Sequence, residues 1–214
     1  VERTHELERF GWDTVDETVR GKTDHDFSLR RDYTDETGYR SQLFYGVVGT
    51  PPEERGVGLV ADNALEFLDQ AVQGEDPWCC FASVIEPHDP FVCGQEAFDL
   101  YDVDAIELAP NVHDEMGDRP GIYRKAGRTW QDMTDRERRE AAACYYASIT
   151  EIDQQYGRII DRVRQAGQLD DTIIVFTTDH GELLGAHGLY CKNFSGFEEV
   201  YNVPLIMAGP GIAA

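Results

Sequence analysis

Three stretches of the chain, residues 78–85, 173–176 and 203–208, are almost unbroken runs of β-branched, aromatic and other apolar side chains without alternation. Such runs predict strands buried on both faces of a sheet. Two amphipathic patterns lie between them. Val60, Ala64, Leu65, Phe67, Leu68, Ala71 and Val72 recur at helical spacing and stop at Gly74, after Pro51-Pro52-Glu53-Glu54 opens the element. Thr134-Asp135-Arg136-Glu137 has capping-box spacing, and Tyr145, Ile149, Ile152, Tyr156, Ile159 and Val163 then mark one face of a long helix closed at Gly167. Arg158, Arg162 and Arg164 in its last turns suit the negative end of the helix dipole. Helices alternating with buried strands predict an α/β fold, a mostly parallel, doubly wound sheet flanked by helices.

The remaining segments carry less pattern. Residues 1–56 are rich in charge, glycine and aromatics, and only Phe10-Gly11-Trp12-Asp13 reads as an ordered turn. Residues 57–214 form the α/β core, interrupted by a loop insertion over 93–132 in which Pro110, Gly117, Pro120, Gly121 and Gly127 break any periodicity. Long loops in compact domains are usually functional covers, so this one is placed at the border of a substrate site. His113, among Asp114 and Glu115, reads as a solvated loop residue.

Chemistry gathers where the apolar runs stop. The run at 173–176 ends at Thr177-Thr178-Asp179-His180-Gly181, and the carboxyl ends of parallel strands open onto ligand crevices. A carboxylate beside an imidazole suits a divalent metal, although a plain turn reads the same way. Gly181, Gly185 and Gly188 let the backbone fold tightly enough to return Lys192 toward the carboxylate. The run at 78–85 ends at Glu86-Pro87-His88-Asp89-Pro90, where two prolines hold His88 in a rigid loop. Taken alone, such an imidazole is more often a structural hydrogen-bond partner than a catalyst.

Composition narrows the class. A formal net charge of -22 on 214 residues opposes binding to nucleic acid or to an anionic membrane, while 41% hydrophobic content is that of a folded chain. Lysine occurs only at Lys22, Lys125 and Lys192, and the other sixteen of the nineteen basic residues are arginine. Such acidic, lysine-poor usage resembles proteins of salt-loving microbes, where salt screens self-repulsion. Cys79, Cys80, Cys93, Cys144 and Cys191 are odd in number and lack C-x-x-C spacing, so buried thiols are expected rather than a disulfide framework or a zinc site. No apolar run reaches membrane-spanning length, and Val1-Glu2-Arg3-Thr4-His5 is no secretory leader. The compartment is unreadable, with the cytoplasm as default, and a start without methionine suits an internal piece of a larger protein.

The pattern D-H-G-E-x-x-G-x-H-G-L-x-x-K from Asp179 to Lys192 resembles the C-terminal motif of the sulfatase family, in the alkaline phosphatase superfamily. P-H-x-P around His88, Y-Y-A-x-I-x-x-I-D from Tyr145, G-R-I-I-D from Gly157 and V-P-L-I from Val203 resemble further family segments, so the likeness covers residues 57–211 well. It implies hydrolysis of sulfate monoesters of small molecules or carbohydrates. It also implies Asp179 and His180 as calcium ligands, and Lys192 and His88 as the residues that contact the ester. Glu182 and His187 are either groups that orient this loop or solvated loop residues.

Other parts of the family pattern are missing. The formylglycine nucleophile arises within C/S-x-P/A-x-R, which follows no cysteine or serine here, and Asp170-Asp171 precedes a strand where the family's paired aspartates follow one. Gly21-Lys22-Thr23-Asp24-His25 and Arg3-Thr4-His5 both depart from the family's G-K-x-H element. An incomplete sulfatase-like domain, inactive alone, is therefore expected. A phosphodiesterase or phosphonate-ester hydrolase of the same superfamily and a non-catalytic metal-binding remnant are the alternatives. A zinc hydrolase is disfavoured because H-E-x-x-H is absent and His180 and His187 are off one helical face.

Overall fold

A computed structural model describes residues 11–12, 26–34, 41–192 and 195–213. The two candidate G-K-x-H segments, and Phe10 and Asp13 of the expected turn, lie outside the described residues; Gly11 does occupy a turn with φ 88°. The elements are β1 (Phe27–Thr34), β2 (Ser41–Val48), α1 (Gly56–Ala71), β3 (Phe91–Gly94), α2 (Gln95–Phe98), α3 (Gly121–Gly127), α4 (Asp135–Gln165), β4 (Ile174–Thr177), α5 (Glu198–Tyr201) and β5 (Leu205–Ala208). The α/β class holds, with two small sheets carrying the ladders. One has the order β1-β2-β3, its first pair antiparallel and its second parallel, and the other pairs β4 with β5 antiparallel.

β1 and β2 arise where no periodicity announces an element. β2 holds Phe44, Tyr45, Val47 and Val48 fully buried, and β3 adds Phe91 and Cys93. Each large side chain of this kind stabilises the fold by roughly 1.5–3 kcal/mol through burial. Gly46 is required at mid-strand because a Cβ there would stand 2.6 Å from the Phe27 ring. Trp130 and Tyr190 complete the cluster, their rings 4.5 and 4.9 Å from that of Phe44. The 93–132 region thus begins inside a core strand and carries α2, α3 and short 3-10 turns.

α4 has the predicted capping box, with Thr134 accepting from the Glu137 N–H and Glu137 accepting from that of Thr134. Its inner face keeps Ile152 and Val163 of the expected stripe and is otherwise built from small and polar residues. Ala141, Cys144, Ala147, Ser148, Glu151, Ile152 and Gln155 are buried, whereas Ile149 is exposed. Small residues let the helix lie close on β3, and Glu151 is buried because the Arg55 guanidinium pairs with it and Gly94 N–H donates to it at 2.9 Å.

The strands expected to be buried are a second correction. Residues 78–85 form no ladder and run as an unpaired segment whose exposure alternates residue by residue. β4 and β5 pair antiparallel rather than within a parallel sheet, and Val175, Leu205 and Ile206 are more than half exposed. The neighbours that would cover them are absent from the described residues. Of the cysteines, only Cys93 and Cys144 are buried, and Cys79 is exposed.

Candidate active site

The segment after β4 is shaped by its backbone. Gly181 is obligatory, since a Cβ there would meet the Glu199 carbonyl oxygen at 2.0 Å, and its N–H donates to Val200 O at 2.8 Å. Leu184, His187 and Cys191 then adopt left-handed conformations, with φ of 42°, 55° and 61°. Non-glycine residues in this region are strained and persist only where surroundings hold them.

Each of the three is held. One carboxylate oxygen of Glu182 accepts from the N–H of Leu184 at 3.0 Å and from that of Cys191 at 2.6 Å. The N–H of His187 donates to Asn111 Oδ1 at 3.3 Å, its Nδ1 lies 2.8 Å from Asp114 Oδ2, and its ring stacks on Phe197 at 4.1 Å. The imidazole beside Asp114 holds that carboxyl below its ordinary range. Leu183, Ala186, Leu189, Met116 and Val200 pack beneath the loop as a separate small core. Glu182 is therefore a half-buried clamp that orients this loop, and His187 anchors the 107–117 loop. Burial pushes the Glu182 carboxyl up to about 7, against the two backbone donors that favour its charged form.

The clamp delivers Lys192. Its ammonium donates to His88 Nε2 at 2.8 Å across 104 residues of sequence. His88 Nδ1 lies 2.9 Å from the Asp89 carbonyl oxygen and 3.1 Å from the Asp89 carboxylate, so that nitrogen carries the proton and Nε2 presents its lone pair. Asp89 also accepts from the Cys191 thiol, which burial and the neighbouring Glu182 and Asp89 charges push up. The His88 and His180 rings stand 5.8 Å apart. His180 Nδ1 lies 2.8 Å from the Gly181 carbonyl oxygen, and its Nε2 is 3.8 Å from Asp179 Oδ1. All four residues singled out from the sequence, His88, Lys192, Asp179 and His180, thus share one rim.

Asp179 is 87% exposed. Among the described residues, however, no group of three or more His, Cys, Asp or Glu is arranged to hold a metal ion. Calcium takes roughly six to eight oxygen ligands, and an imidazole is not its usual donor. Asp179 and His180 are at most part of such a shell. His113 matches its reading as a solvated residue, 70% exposed and 3.5 Å from Asp135.

The 93–132 region does border this loop. A cavity of about 450 Å³ opens between residues 107–111 and 182–186, lined by Glu107, Asn111, Tyr146, Glu182, Leu184 and Glu199 among others. Among the described residues, no helix is long and apolar enough to cross a membrane.

The sulfatase family model matches residues 10–214, reaching well before residue 57. The choline-sulfatase of Rhizobium meliloti is 39% identical over 167 residues, which is 73% of this chain and 32% of that protein. Human iduronate 2-sulfatase is 29% identical over 184 residues, covering 78% of this chain and 32% of its own. Among solved structures, the phosphonate monoester hydrolase of Agrobacterium radiobacter superposes with a TM-score of 0.68 at 26% identity, over 77% of this chain and 35% of that one. The phosphonate monoester hydrolase of Silicibacter pomeroyi gives 0.67 at 26% identity, over 96% and 40%. The chain thus spans about a third of the length of the curated relatives it matches. Its rim motifs, its α/β build and these matches agree: the chain belongs to the sulfatase family.

Proposed function

We propose that the whole protein hydrolyses sulfate monoesters of small molecules or carbohydrates, and that this chain holds the sulfuryl-binding and leaving-group side of the site without turning over alone. The observation that carries the reading is the contact between the Lys192 ammonium and His88 Nε2, formed where the 78–85 segment and β4 both end. An entering ester takes the place of that contact. Lys192 then directs its N–H donors and charge to the sulfuryl oxygens, where such electrostatic stabilisation is strongest in a partly desolvated site. His88, with Nδ1–H fixed on Asp89, takes at Nε2 the proton lost by the attacking hydroxyl, which the rest of the protein supplies, and returns it to the departing alkoxide as the ester S–O bond breaks. Asp179 and His180 contribute to a divalent-metal shell, calcium by family resemblance, whose other donors lie outside the described residues; when bound, such an ion supplies Lewis acidity.

Superposition on the two phosphonate monoester hydrolases favours a second reading, in which the scissile ester is a phosphonate or phosphate diester at the same rim. The test is calorimetric titration of the purified chain with p-nitrophenyl sulfate and with p-nitrophenyl phenylphosphonate. Lys192→Met is expected to weaken binding of the preferred ester by about 10- to 100-fold, the worth of a charge-assisted hydrogen bond. Tighter binding of the phosphonate shifts the assignment, and binding indifferent to Lys192→Met and His88→Ala refutes both readings. Steady release of p-nitrophenol by the chain alone contradicts its inactivity.

A further inference from the structure

Polar contacts tie His187 to the 107–117 loop, and together they leave its ring a single protonation state. Nδ1 lies 2.8 Å from Asp114 Oδ2, Nε2 lies 3.1 Å from Asn111 Nδ2, and the backbone N–H donates to Asn111 Oδ1 at 3.3 Å. A backbone N–H can only donate, so the Asn111 oxygen must face it and the carboxamide NH2 must face the ring. That NH2 group donates, so Nε2 accepts with its lone pair and carries no proton. Asp114, held below the ordinary carboxylate range, is an acceptor, and the ring proton sits on Nδ1. His187 is therefore neutral in this arrangement, with both ring nitrogens in use.

A second proton breaks the arrangement. Nε2–H would point at the NH2 group of Asn111, donor against donor. Turning the carboxamide over brings its oxygen to Nε2–H but sets its NH2 against the backbone N–H of His187. Neither orientation satisfies both. The imidazolium keeps Asp114, whose charge attracts it, and loses Asn111 at one contact. Water replaces that contact poorly, because the His187 side chain is only 14% exposed and Phe197 stacks on it at 4.1 Å.

The surrounding groups leave this conflict in place. Arg119, 5.9 Å from the Phe197 ring and near Asp114, opposes a positive charge on the imidazole. From α3, Tyr123 packs on Phe197 and Arg124 donates to the Met116 and Arg119 carbonyls. His113 turns to Asp135, Glu198 of α5 accepts from Asn202, and Glu182 accepts from Leu184 and Cys191. Asn111 is also a wall of the cavity of about 450 Å³, with Leu184 and Ala186 of the segment after β4 among the other lining residues.

We propose that His187 and Asn111 form a pH-sensitive latch: with the imidazole neutral they hold the 107–111 wall of the cavity to the segment after β4, and protonation of Nε2 releases Asn111 and loosens that wall while the tie to Asp114 stays. The proton comes from solvent and returns to it. The latch is independent of the ester chemistry and works whichever ester the rim takes.

The test follows the purified, nitrogen-15-labelled chain by nuclear magnetic resonance from about pH 8 to about pH 5, the range in which imidazoles change charge. At the upper end the ring of His187 is expected to carry its proton on Nδ1 with Nε2 bare; the opposite tautomer overturns the latch. As Nε2 gains its proton, protection of the His187 backbone N–H, corrected for intrinsic exchange, is expected to fall at least about tenfold while α4 holds. The turn amides of Val112 and Asp114, bonded to the carbonyls of Ala109 and Asn111, should follow. Asn111→Asp discriminates, because a carboxylate accepts from Nε2–H and from the backbone N–H at once; its protection is expected to change less than about twofold over the range. His187→Gln cannot titrate and should show no step, and it decides against wild type if Asn111→Asp does not fold. Protection that stays level while Nε2 titrates overturns the proposal, as does an Nε2 that remains bare throughout. A fall shared by α4 is general unfolding, and a fall as large in either variant assigns the change to another group; both outcomes also overturn it.

Discussion

Glu182→Gln isolates one half-buried carboxyl. Burial moves the Glu182 carboxyl from an ordinary 4.5 to about 7, and at 1.36 kcal/mol per pKa unit this penalises its ionised form by about 3 kcal/mol. The folded value is raised, so the native state binds the proton more tightly than the unfolded chain. The contribution is fully present below about pH 4.5 and is lost as pH rises through 7. Glutamine keeps a carbonyl oxygen for the N–H groups of Leu184 and Cys191 but cannot ionise. Urea unfolding of both proteins from pH 4 to pH 8 removes the background of other carboxylates by subtraction. The expected result is wild type losing about 3 kcal/mol relative to the variant across that window. A flat difference, or wild type gaining with pH, refutes the clamp. Glu182→Ala is the contrasting case: it strands two buried N–H groups, each costing on the order of 1–3 kcal/mol, and frees the strained turn that positions Lys192.

Three further outcomes follow from other contacts. Arg55→Met removes the cation that partners the buried Glu151 carboxyl inside the α4–β3 contact, at a cost of about 3–5 kcal/mol in urea unfolding, and Arg55→Met with Glu151→Leu recovers most of it; a cost below about 1 kcal/mol for the single change contradicts this. His187→Ala removes the tie to Asp114 and Asn111, so deuterium exchange and protease cleavage should rise in residues 107–117 while α4 is unchanged; unaltered protection there shows that the tie carries nothing. Raising sodium chloride from about 0.1 M to about 1 M shortens the screening length from about 10 Å to about 3 Å, and a chain with net charge -22 should melt higher. A fall in melting temperature would reject the salt-loving reading.

What could be read from the sequence depended on whether the cause of each feature was local. The α4 capping box is a four-residue event, and it formed where Thr134 and Glu137 announced it. The meeting of His88 with Lys192 was legible because each follows an apolar run that stops abruptly, and a motif tied both to one rim. The Glu182 clamp was not legible, since its purpose depends on Leu184 and Cys191 being left-handed, a property no spacing displays. β1 hid behind Arg30, Arg31 and Asp32, polar residues an edge strand tolerates, and the run of β2 was obscured by Gly46, which is there to admit the Phe27 ring. The inner face of α4 was legible in part: Ile152 and Val163 are buried as their spacing announced, while the alanines and the paired glutamate that pack on β3 carry no apolar signal.

The exposed strands are the most instructive difference. Ile173, Val175, Leu205 and Ile206 have the composition of a fully buried sheet, yet each is more than half exposed. Side-chain choice at a position reflects what eventually covers it, whereas exposure in the described residues reflects only what this chain provides. The mismatch therefore has direction: where apolar composition and solvent exposure disagree along a strand edge, the disagreement marks the place of an absent neighbour.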